Sequence, residues 1–84
     1  AAAVGPRGIL QADAVLVASQ RRLLERADEV ILLVDASKLA ASSSGAIVCG
    51  LDRIDRLITN AGADPAMLDR LRASGLGTIT IAED

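Results

Sequence analysis

The chain has 84 residues, 51% of them hydrophobic and none aromatic, and its nine basic and eleven acidic side chains leave a net charge of −2. A domain of this size buries only roughly 60 to 65% of its unfolded surface, so a core of Leu, Ile, Val and Ala alone calls for further protein to cover it. With no His and a single Cys, zinc sites, His-based proton relays and an internal disulfide are excluded, and the acidic balance argues against a duplex-reading surface.

In chain order, Gly5-Pro6-Arg7-Gly8 reads as a loop, because Pro fixes φ and the flanking glycines permit turns. Residues 13 to 27 then predict a helix, with Asp13 as N-cap and Leu16, Leu23, Leu24 and Ala27 as its apolar stripe. Arg21, Arg22 and Arg26 fall on this helix, but Glu25, Asp28 and Glu29 are interleaved with them, which predicts a solvated amphipathic face. Residues 30 to 35 are expected to form a buried strand, since five branched aliphatics in succession suit a parallel strand covered on both faces.

The aliphatic run ends abruptly in Asp35, Ser37 and Lys38. Open α/β sheets place ligands at the carboxyl ends of their strands, and this is where those polar groups stand. A carboxylate there can orient hydroxyls and an ammonium can hold an anion, while Ser37 and the loop amides add donors of the kind phosphates use. The bland alternative is that Asp35 caps a turn and Lys38 is solvated. Ser42-Ser43-Ser44-Gly45, within the polar loop that follows, reads equally as a connector or as a ligand-contacting loop.

Ala46 to Cys49 and Arg56 to Thr59 predict two further short strands, joined by a single turn around Leu51-Asp52-Arg53. Cys49 sits in an apolar run and is expected to be a small core hydrophobe rather than a reactive thiolate. Asp64-Pro65 opens a second helix, with Gly75 just past its end and Met67, Leu68 and Leu71 facing inward. Thr78 to Ile81 forms the last strand, ahead of Glu83-Asp84. The alternation predicts one α/β domain with a mostly parallel sheet and helices on its faces, a three-layer αβα arrangement.

Two segments carry a resemblance. Asp35-Ala36-Ser37-Lys38, followed downstream by Ile54-Asp55-Arg56-Leu57-Ile58-Thr59-Asn60, resembles the effector-sensing domain of DeoR-type bacterial transcriptional repressors. Gly8-Ile9 looks like that family's glycine-containing segment ahead of a helix, and Gln20-Arg21-Arg22-Leu23-Leu24 like the basic-then-aliphatic run inside it. Leu16, Leu39, Ala40 and Asn60 stand where the family usually carries Glu, an aromatic residue, Gly and Asp. The resemblance implies a sensor fold shared with ribose-5-phosphate isomerase and CoA transferases, a phosphorylated sugar or related metabolite as ligand, and no cofactor. It assigns Lys38 to the anion, Asp35 to a sugar hydroxyl, Ser37 to a supporting hydrogen bond and Gly8 to the ligand-binding backbone.

On this reading residues 1 to 84 are the C-terminal part of a single effector-sensing domain, and DNA is contacted only through an N-terminal domain outside this chain. The start at Ala1-Ala2-Ala3 fits such a piece of a longer polypeptide. No stretch reaches the ~20 apolar residues that span a bilayer, so a cytoplasmic protein is expected. Apolar surface and unpaired sheet edges predict a homo-oligomer. Two rivals are a structural or dimerisation fragment without ligand and a sugar-phosphate isomerase. The isomerase needs a tuned base and an oxyanion stabiliser, for which only Asp35 and Lys38 are candidates.

Overall fold

The computed structural model describes residues 3–39 and 45–82. Ala40, Ser42, Ser43, Ser44, Glu83 and Asp84, on which several of the expectations above fall, lie outside the described residues. The chain is α/β, with two α-helices and six strands, divided between two three-stranded sheets, among the described residues. It therefore departs from the expected single, mostly parallel sheet.

The first sheet is antiparallel. Strands β1 (Ala3–Gly5) and β2 (Gly8–Gln11) form a hairpin around Pro6-Arg7, with Gly5 paired to Gly8, where the sequence reading placed only a loop. Pro at the first turn position is compatible with a hairpin because its missing N–H faces away from the ladder. The strand Ala46–Cys49, labelled β4, pairs antiparallel with β2 instead of joining the parallel strands, giving the order β1-β2-β4.

The second sheet is parallel, with strand β5 (Arg56–Asn60) between β3 (Ile31–Leu33) and β6 (Thr78–Ala82). Its inner face carries Leu32, Leu57 and Ile79 in register, all packed in the core or against it. Its outer face is bare among the described residues: Leu33 is 75% and Ile31 47% exposed. The expectation that residues 30 to 35 are covered on both faces is thus corrected, because the helices lie against the inner face and the other sheet only. On its other side β1 meets Leu39, beyond the end of β3, at a parallel bridge through Val4.

Helix α1 (Ala14–Arg26) begins at Asp13, whose carboxylate accepts from Val15 N at 2.9 Å and Leu16 N at 3.4 Å. Its buried residue is Val17, backed by Leu24 and Ala27, whereas Leu23 is 70% exposed and Leu16 is exposed as well. The segment is apolar on more than one side, and packing on β2 and β4 selects the Val17–Leu24 side. Arg21 is not simply solvated. Its Nε donates to Val48 O at 3.4 Å and its Nη2 to Ile47 O, fastening α1 to β4.

Helix α2 (Pro65–Ala73) has Asp64 as its cap, accepting from Ala66 N at 3.1 Å, and ends at Ser74 before Gly75, whose φ of +107° an L side chain rarely adopts. Met67, Leu68 and Leu71 are buried beneath it, as the spacing predicts. Ile54, Leu57, Leu71 and Val4 are the largest fully buried side chains, so the core lies where α2, β5 and β1 converge. Among the described residues no helix is long and apolar enough to cross a membrane.

Candidate functional site

β5 begins by docking against β3. Val30 N donates to the Asp55 carboxylate at 2.7 Å, and Val30 O accepts from Asp55 N at 3.0 Å and Arg56 N at 3.2 Å. Arg53, just upstream, donates through Nη2 to Ala27 O at 2.9 Å and also to Leu24 O, satisfying carbonyls at the end of α1. These groups hold the amino ends of the parallel strands. They are structural.

The carboxyl ends of the same strands carry the polar cluster. Val34 N still bonds Ile58 O at 3.0 Å, after which the chain leaves the ladder in a 3-10 turn over Ala36–Lys38. Asp35 caps this turn: its Oδ1 accepts from Ser37 N at 2.9 Å, and its carbonyl accepts from Lys38 N at 2.9 Å. Asn60, the last residue of β5, accepts from Ala36 N through Oδ1 at 2.9 Å. A Cβ placed at Gly62 would lie 3.7 Å from Ala36 Cβ, so the loop after β5 rests against the turn. The two segments singled out in the sequence, 35 to 38 and 54 to 60, therefore meet at one end of the parallel sheet, as neighbouring strand ends in an open α/β sheet do.

Asp35, Ser37 and Lys38 are all exposed. The Ser37 amide and then its hydroxyl hold the Asp35 carboxyl below its ordinary value of 3.8, and the Lys38 ammonium and the Asn60 side chain act in the same direction. Desolvation opposes them, by more than Lys38 or Asn60 contributes but less than either Ser37 contact. Asp35 is thus an anion through the whole neutral range, with the Lys38 ammonium at the end of the same turn. The amides of the turn are already engaged with Asp35, Ala36 and Asn60, so the groups this open rim offers a ligand are a carboxylate, an ammonium and a hydroxyl, which suit a small molecule that carries both hydroxyls and an anionic group.

Gly8 stands elsewhere in the fold, in β2 of the antiparallel sheet. Its φ is +120°, and a Cβ there would come within 2.0 Å of Cys49 O and 3.0 Å of Gly50 Cα. Close approach of β2 to the end of β4 accounts for the glycine without a ligand. Asn60 is the residue whose part in the cluster the sequence reading missed. It stood out only as a departure from a family pattern, although its place at the end of the neighbouring strand was a usable signal. Thr59, before it, is buried on the opposite face with its hydroxyl unpartnered among the described residues.

A hollow of about 200 Å³ lies between α1 and the start of β3, lined by Ile9, Gln20, Leu23, Leu24, Val30 and Ile31 among others. It is apolar, and residues 35 to 38 do not line it. An anionic ligand would find no counter-charge there, so the rim around Asp35 is the better candidate. Cys49 is half-buried and packs against the core, and its thiol is pushed up by burial.

No family model matches the sequence, and no solved structure matches it significantly. Among curated proteins, the chain is similar to the HTH-type transcriptional regulator UlaR of Escherichia coli, with 28% identity over 74 residues. The protein of the same name from Shigella boydii matches at the same level. The aligned segment takes in 88% of this chain and 29% of the relative, so the chain spans less than a third of the length of these curated relatives.

Proposed function

We propose that this chain is the effector-binding part of a DeoR-like bacterial transcriptional regulator, occupying the C-terminal portion of a sensor domain, and that it takes a phosphorylated sugar or a related metabolite. Lys38 pairs with the phosphate, Asp35 accepts from a sugar hydroxyl, and Ser37 adds a donor. DNA contact falls to another region of a longer cytoplasmic polypeptide. Effector occupancy shifts the population of that polypeptide's conformers, with a coupling of ~1 to 3 kcal/mol between the two sites.

The observation that supports this reading is the Ala36 N to Asn60 Oδ1 hydrogen bond of 2.9 Å, which joins the two segments that resemble such sensors at the carboxyl end of a parallel sheet, the end where open α/β sheets generally take ligands. The similarity to an HTH-type regulator points the same way. So does the net charge of −2, which suits a segment with no duplex contact of its own.

Thermal unfolding in a series of sugar phosphates tests the proposal, because a ligand that binds only the folded state stabilises it by RT ln(1 + [L]/Kd). Ribose 5-phosphate, fructose 6-phosphate and glucose 6-phosphate are suitable probes, with inorganic phosphate and the free sugars as controls. At least one sugar phosphate is expected to raise the melting temperature beyond both controls. Lys38→Ala should then weaken that binding by about 1.5 to 3 kcal/mol, the range for charge-assisted hydrogen bonds, while leaving unliganded stability nearly unchanged. Equal response to sugar phosphate and to phosphate alone, or full binding by the Lys38 variant, sinks the assignment.

A further inference from the structure

Each sheet edge but one is guarded or short. β4 has carbonyls of Ile47 and Val48 engaged by Arg21, the free side of β1 is bridged by Leu39, and β3 is only three residues long. β6 is different. It runs five residues, Thr78-Ile79-Thr80-Ile81-Ala82, in unbroken register with β5, and has no neighbour on its other side among the described residues. It contains no charge, no Pro and no bulge, the devices by which edge strands usually avoid pairing.

The direction of its free backbone groups follows from the ladder. Thr78 N bonds Asp55 O at 2.9 Å, and the Thr78–Arg56 pairing continues without a shift. Alternation then turns the N–H and C=O of Thr78, Thr80 and Ala82 toward β5 and those of Ile79 and Ile81 toward the open edge. The side chains alternate likewise, with Ile79 on the inner face and Thr80 exposed on the outer.

We infer that the open edge of β6 pairs antiparallel with β6 of a second copy of this chain, about a two-fold axis at Thr80. The strand is nearly palindromic about that residue. Ile79 lies opposite Ile81 of the other copy as a hydrogen-bonded pair, and both residues carry the edge-facing backbone groups such a pair needs. The two Thr80 residues meet as a non-hydrogen-bonded pair, where side chains approach most closely, and Thr opposite Thr is a favourable cross-strand match. A shift of one residue would set edge-facing groups against inward-facing ones and lose the ladder. The product is one continuous six-stranded sheet, an isologous contact that closes at two copies. The same chemistry with a foreign strand would also satisfy the edge, but only a second copy supplies the mirrored Ile-Thr-Ile pattern. This inference does not rest on the effector reading and survives its failure.

Two charge-reversed variants test it. Sedimentation equilibrium of the chain across a concentration series is expected to show a mass rising from 8.6 kDa toward twice that value, since a contact of one strand pair is small and hence concentration-dependent. Thr80→Lys and Thr80→Glu each place like charges face to face at the axis, and each should remain a monomer with unchanged circular dichroism. An equimolar mixture of the two should recover the dimer mass, because opposite charges then face one another. A wild-type chain that stays monomeric throughout overturns the inference. So does a single variant that still dimerises, or a mixture of two folded variants that does not.

Discussion

Asp35 shows how one residue serves a turn and a site together. Its carboxylate is held by the Ser37 amide, and the turn so formed sets Lys38 on the same rim. Because the folded-state pKa lies below the ordinary 3.8, the stability this contact contributes is fully present above the unfolded value and is lost as pH falls through the folded one. Following the Asp35 carboxyl carbon by NMR should give a midpoint below 3.8, and Ser37→Ala should raise it only in part, since the leading partner is the backbone N–H. An unshifted midpoint would mean that the cap does not form in solution.

Gly8 separates packing from ligand binding at the same scale. A methyl group there meets Cys49 O at 2.0 Å and needs a φ of +120°, so Gly8→Ala should destabilise the fold by about 2 kcal/mol or more, read as a lower urea midpoint. The prediction fails if Gly8→Ala leaves that midpoint in place.

Among the elements, the helix starts were plain in the sequence. Asp13 and Asp64-Pro65 stand immediately before apolar-periodic runs, and each caps as its chemistry dictates. The hairpin at Gly5 to Gly8 was hidden because its strands are short, three and four residues, and its turn residues suit a loop equally well. The parts played by Arg53 and Asp55 were hidden for another reason. Both bond to groups more than twenty residues away in sequence, so no local pattern announces them.

Asp55 is the clearest case, since its carboxylate serves the amide of Val30, which is buried. Asp55→Ala should cost about 1 to 3 kcal/mol, the penalty for leaving such a donor unpaired, and lower the melting temperature by roughly 4 to 8 °C for each kcal/mol. Asp55→Asn keeps an acceptor oxygen and should recover part of the loss. Equal stability of the alanine variant and the parent would remove Asp55 from the docking of β3 on β5.

For the molecule as a whole, the arginines are divided between structural work and solvent. Arg21 and Arg53 are engaged with main-chain carbonyls of β4 and α1, and the net charge is −2. Affinity for duplex DNA rests largely on phosphate neutralisation, so the chain by itself should show no binding at physiological salt, even at the ~10⁻⁴ to 10⁻⁶ M level of non-specific binders. Fluorescence anisotropy with labelled duplex checks this, and sequence-specific binding would overturn the division of labour proposed between this chain and the rest of its polypeptide.

The sequence by itself determined the class of fold, both helices with their caps, the cores of the four later strands, and the polar cluster at 35 to 38. Each of these depends on residues close together in the chain: aliphatic runs, capping carboxylates, and a glycine or proline at a boundary. Only the tertiary structure decided that Ala46–Cys49 pairs with Gly8–Gln11, that Val17 and not Leu16 or Leu23 faces the core, and that Asn60 completes the turn at Asp35. An aliphatic run states that a strand is apolar, and the choice of neighbour belongs to contacts spanning more than twenty residues, where competing pairings differ by side-chain fit rather than by local propensity.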